Sequence, residues 1–125
     1  MFIQGFLSVL ATAALVWAIP VSGHHSHGNY IIDEYTLLEG TVSEVHWINP
    51  HVWIYLEVEG ESGEPEMWAL EGGSVGAVRN RGWERDDIVA GDAIKVRCHM
   101  LRDLFPGCLL GFVTTEDGIV DREFD

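Results

Sequence analysis

From residue 37 onward, apolar side chains recur at every second position in short runs separated by Gly, Pro and acidic turns, and this pattern most constrains the fold. In residues 52–58, Val52, Ile54, Leu56 and Val58 share one parity, while Trp53, Tyr55 and Glu57 take the other. That is the signature of a strand with one face against a core. Residues 37–47 alternate in the same way and carry Gly40 in mid-run, where a glycine signals a bulge or a sharp bend that lets one strand serve two sheets. Residues 66–71, 93–101 and 108–114 read as further strands, and residues 119–124 as a short last one. Only one window departs from period two. Ser74 is placed to cap a short helix running to Arg81, Val75 and Val78 share a face, and Gly82 is placed to stop it.

Three strands, a helix, then two or three strands is the order of an OB-type barrel. The expected fold class is therefore all-β with one short helix, a small OB-like antiparallel barrel of five to six strands. The rival is an open β-sandwich with the helix across one end. The corner between the first two strands, Ile48-Asn49-Pro50-His51, is rigid, because Pro50 offers no N–H and restricts Asn49 to extended conformations. Gly60 to Pro65 forms a hairpin loop, and Gly91-Asp92 a turn.

The N-terminal residues 1–23 contain no charged side chain, whereas all 20 acidic and all 7 basic residues follow them. Residues 6–19 have the length and apolarity of a signal-peptide core, Pro20 breaks its helix, and Val21-x-Gly23 supplies small residues for a peptidase. No Lys or Arg precedes the core, so an uncleaved anchor is the rival reading. Cleavage implies a periplasmic or secreted protein with no stable membrane insertion afterwards. Residues 24–35 are then expected as an extended arm, and residues 36–125 as the barrel domain.

Removing 23 of 125 residues leaves one domain with a net charge still at −13, which repels phosphate backbones and argues against nucleic-acid binding. Cys98 and Cys108 flank the expected hairpin tip symmetrically. They suit a cross-strand disulfide in an oxidising compartment, or else two buried thiols.

Half of the six histidines lie in His24-His25-Ser26-His27, beside the expected cut. Cleavage after Gly23 frees the α-amine of His24, which can chelate a metal together with its own Nδ1. A third nitrogen from His25, His27 or His51 would complete a T-shaped or square-planar set, a geometry that favours Cu(II), with Ni(II) second. Cleavage after Ser22 would instead begin the chain Gly23-His24-His25, another copper-binding arrangement. The competing reading is a polar, exposed terminus that scavenges metal without purpose. Glu71 is placed to orient a ligating histidine, and Asn49, Trp47 and Trp53 to surround the ligands or a bound molecule. His46 and His99 read as surface residues. Arg79, Arg81 and Arg85 read as partners of Glu84, Asp86 and Asp87. No serine sits in a nucleophile elbow and no phosphate loop exists, so no catalytic residue is expected.

Two functions follow, neither of them enzymatic: an exported copper-binding protein, or a recognition module. The module's aromatic face, drawn from Trp47, Trp53, Tyr55, Trp68 and Trp83, would take a glycan, a small ligand or an envelope protein. A copper oxidase or oxygenase ranks behind both. The partner is thus a metal ion or small ligand, with no protein partner identified.

Taken in order, His24-His25-Ser26, Gly40-Thr41-Val42, Trp47-Ile48-Asn49-Pro50-His51, Trp68-Ala69-Leu70-Glu71, Arg81-Gly82-Trp83 and Gly91-Asp92 resemble a family of small exported bacterial proteins, domain of unknown function 6152. The resemblance covers the mature chain and implies a secreted, barrel-like single domain with no assigned activity. The hairpin bearing Cys98 and Cys108 departs from the family's polar, glycine-rich pattern there.

Overall fold

The structure is a computed structural model that describes residues 27–125. Its elements are β1 (Thr36–His46), β2 (Trp53–Glu59), β3 (Pro65–Glu71), α1 (Val75–Asn80), β4 (Ala93–Met100), β5 (Gly107–Thr115) and β6 (Arg122–Glu123), after a 3-10 turn at His27–Asn29. The sheet runs β3-β2-β1-β4-β5-β6 and is closed by a further pairing of β3 with β5. Strands one to five therefore form a complete ring of OB-type topology, which excludes the open sandwich. One detail differs from the all-antiparallel expectation. The closing pair, Ala69 with Gly107 through Glu71 with Leu109, is parallel.

The ring closes because β1 turns a corner. Its first half, Thr36 to Thr41, pairs with β4, and its second half, Thr41 to His46, pairs with β2. At the corner a Cβ on Gly40 would lie 2.2 Å from the carbonyl oxygen of Glu57, a distance no side chain tolerates. The bulge itself falls just beyond, between Val42 and Glu44. Inside the ring, Val42, Ile54, Leu56, Leu70, Ile94, Val96, Leu110 and Val113 form the core. Burying such side chains contributes roughly 1.5–3 kcal/mol each before the entropy of ordering them.

The helix closes one pole. Ser74 Oγ accepts from the Ala77 N–H at 3.1 Å, Val78 is fully buried, and Gly82 ends the turn with φ +92°. Trp83 and Phe124 pack beneath it, with ring centroids 5.2 Å apart. A disulfide joins Cys98 to Cys108 near the loop end of the β4–β5 hairpin.

Two boundaries differ from the sequence reading. The last strand shrinks to Arg122–Glu123, because Asp121 takes a left-handed conformation (φ 48°) that breaks the ladder before it. The described part of the arm is not extended. Tyr30 donates its N–H back to the His27 carbonyl, bridges to Leu101 and buries its ring, while residues 32–34 turn. Among the described residues no helix is long and apolar enough to cross a membrane. The proposed leader and residues His24 and His25 lie outside the described residues.

Candidate functional site

The corner after β1 is built to hold His51 still. Asn49 Oδ1 accepts from the Val75 N–H at 3.0 Å, tying the corner to the start of α1. Val52 donates to the Gly73 carbonyl, and Gly72 donates back to Val52, both at 2.8 Å. Gly72 must be small, since a Cβ there would lie 2.7 Å from the Phe124 ring. His51 is thereby set against the end of β3. Its Nδ1 lies 3.0 Å from the Gly72 carbonyl oxygen and 3.4 Å from Glu71 Oε1. Both neighbours are acceptors, so the Nδ1 N–H donates to them. A carboxylate or carbonyl behind one ring nitrogen is how proteins orient a histidine whose other nitrogen takes a metal.

The second oxygen of Glu71 accepts a hydrogen bond from the Tyr30 hydroxyl. Burial first, and then the hydrogen bond and the charge of Glu71, push the Tyr30 phenol well above its ordinary range. The arm is thus latched to the carboxylate that faces His51. Its first described residue, His27, places Nε2 3.8 Å from Asp125 Oδ2. Burial raises the Asp125 carboxyl above the usual carboxylate range, and Glu71 adds to the rise, while His27, His51 and Arg81 oppose it. Mutual influence of this kind gathers His27, Tyr30, His51, Glu71 and Asp125 at one pole of the barrel. Among the described residues, no three His, Cys, Asp or Glu side chains converge closely enough to hold a metal by themselves.

Other predicted residues go elsewhere. His46 is a surface residue whose Nε2 lies 2.8 Å from Glu44. His99 lies on the outer face as its parity suggested, but it is only partly exposed. The arm folds over it, so that its Nδ1 lies 2.7 Å from the Glu34 carbonyl oxygen and its ring stacks on Tyr35 at 4.2 Å. Trp47 is half-buried against the core with the Arg85 guanidinium 5.9 Å from its ring. Trp53 is half-buried and sits in register between His46 and Glu71. Trp68 and Trp83 are core residues, and the Trp83 indole donates to the Glu123 carbonyl at 2.8 Å. The five aromatics therefore do not form one platform. Arg79 reaches Glu84 at 3.8 Å, but Arg81 turns to Glu123 at 3.2 Å.

Tyr30 and Asp125 are the site residues that sequence reasoning missed. Tyr30 left one usable signal, an aromatic directly before Ile31 and Ile32 in an otherwise polar stretch, which suits an anchor. Asp125 left none, because long-range pairing of β6 along β5, with Phe124 N–H on the Gly111 carbonyl, brings that segment back to the pole.

The geometry defines a closed OB-type barrel whose helix-capped pole carries an oriented histidine, a carboxylate behind it, and an arm latched to that carboxylate. The chain belongs to the family of unknown function DUF6152, whose profile matches residues 12–108. No curated protein and no solved structure matches it.

Proposed function

We propose that this protein is an exported copper-binding protein, in which the mature amino terminus at His24 and the corner histidine His51 hold one Cu(II). The support is a single arrangement: Glu71 accepts from Tyr30 with one oxygen and faces His51 Nδ1 with the other. That latch brings the arm to the pole where His51 is held, with its Nε2 enclosed. From His27, three further residues reach about 10 Å at most, which keeps His24 and His25 within range of that pole. Amine and Nδ1 of His24 with Nε2 of His51 make the T-shaped nitrogen set that suits Cu(II). His25 or His27 is the alternative third donor. The formal charge of −13 favours a cation at such a pole. The protein acts as a carrier or accessory factor in the periplasm or outside the cell.

Copper titration of the mature chain, with its terminus read by mass spectrometry, tests this. His24→Ala and His51→Ala are each expected to weaken Cu(II) binding by more than tenfold. An amino-terminally tagged chain that binds as tightly as the native one would refute the proposal. The recognition-module reading has less behind it, since Trp68 and Trp83 are committed to the core.

A further inference from the structure

The loop between β4 and β5 sets apolar side chains out into water. Leu104 is 69% exposed and Phe105 68%, side by side at the tip. Leu104 also takes a left-handed conformation, with φ 63°, where a leucine is strained and a glycine is not. A glycine there would remove both the strain and the exposed surface. The tip is nevertheless held stiffly. The Leu104 N–H donates to the Leu101 carbonyl and the Phe105 N–H to Asp103 Oδ1, both at 3.1 Å, while the Cys98–Cys108 disulfide closes the loop behind them. A rigid, strained loop that points two large apolar groups outward has the form of a contact surface.

We propose that this tip docks on the surface of a phospholipid bilayer, with Leu104 and Phe105 entering the interfacial layer and Arg102 meeting lipid phosphate. Three observations favour a bilayer over another protein. The first is charge. Lys95, Arg79, Arg81 and Arg97 all pair with carboxylates, but Arg102 pairs with none among the described residues. Its Nε and its backbone N–H donate to the Gly28 and Asn29 carbonyls at 3.0 and 2.9 Å, which leaves the outer guanidinium nitrogens for a phosphate. Asp103 turns its carboxylate back onto the Phe105 N–H. The second is position. The uncharged stretch of residues 1–23 ends five residues before Gly28, a span of about 18 Å at most. Arg102 therefore ties the tip beside the point where the chain leaves a membrane that holds its leader. The third is size. Two side chains offer far less than the roughly 800 Å² that each partner buries in a stable protein complex, whereas apolar groups beside a cation suit a lipid interface. The net charge of −13 repels anionic lipid, so the bilayer is zwitterionic. The contact is peripheral and reversible, since it buries less than one acyl chain would.

The contact shares no residue with the copper reading and does not depend on it. The test is NMR of the mature chain and of the full chain with phosphatidylcholine nanodiscs that carry a spin-labelled lipid. The Leu104 and Phe105 amides are expected to broaden first in both chains, and saturably in the mature one. Leu104→Gly combined with Phe105→Ser is expected to lower the affinity of the mature chain for the discs by about tenfold or more, while the remaining amide shifts stay in place. Discs of a phosphate-free galactolipid are expected to bind the native chain about fivefold more weakly. Broadening centred elsewhere on the barrel, an unchanged affinity in the double variant, or equal binding to the galactolipid would overturn the proposal. So would a mature chain that shows no broadening at millimolar lipid, which would leave the tip as a contact for a protein.

Discussion

Replacing Tyr30 with Phe removes one oxygen and nothing else from the latch. The ring is 8% exposed and keeps its packing, and the arm keeps its backbone bonds from Ile31 to Met100 and from Arg102 to Asn29, at 2.8 and 2.9 Å. What is lost is a hydrogen bond to a half-buried carboxylate. Bonds to charged acceptors contribute about 1.5–3 kcal/mol, and water reaching Glu71, whose side chain is 17% exposed, moves the expectation to the lower half of that range. For a domain of this size that corresponds to a melting temperature lower by about 6–15 °C. Urea unfolding of Tyr30→Phe, Glu71→Gln and the double variant reads the coupling directly. The pH dependence supplies a separate signature. The folded phenol holds its proton above the unfolded value near 10, so the folded state binds more protons and stability falls as pH rises past about 10. Tyr30→Phe should lack that part of the alkaline loss. Additive single-variant losses, or identical alkaline limbs, would refute the latch.

Asp125 gives a pH prediction at the acid end. Its folded carboxyl is raised, so the folded state binds the proton more tightly, and stability is lost as pH rises above the unfolded value near 3.8. Asp125→Asn is therefore expected to raise the urea midpoint at pH 7 and to leave it unchanged well below pH 3.8; a lower midpoint at pH 7 would contradict the burial argument. Gly40→Ala should destabilise by about 3 kcal/mol or more, because its Cβ would enter the Glu57 carbonyl 2.2 Å away and part β1 from β2 at the corner. Circular dichroism with urea titration measures it, and a loss under 1 kcal/mol or so would mean that the corner yields easily.

Much of the barrel was legible because strand signals are local. Alternation in residues 52–58 named the buried face, with Val52, Ile54 and Leu56 fully enclosed. Ser74 and Gly82 marked the helix ends through capping chemistry that spans only a few residues. Even the bend at Gly40 showed, since a glycine within a strand has few other uses. The histidine corner was legible for the same reason, through the stiffness of Asn49-Pro50-His51.

What the corner faces was another matter. Parity put His99 on the outer face, but that Glu34, 65 residues away in sequence, comes to cover it in part was decided by the fold. The Tyr30–Glu71 latch joins residues 41 apart, and His27 meets Asp125 only because the ring closes and β6 returns along β5. The sequence by itself determined the strands, their inward faces, the helix caps and the rigid turn, since these depend on neighbours a few residues apart. The tertiary structure alone decided the parallel closure of β3 on β5, the arm folded over β4, and the grouping of His27, Tyr30, His51, Glu71 and Asp125. Those contacts come from ring closure and the burial of Tyr30, which no local pattern encodes.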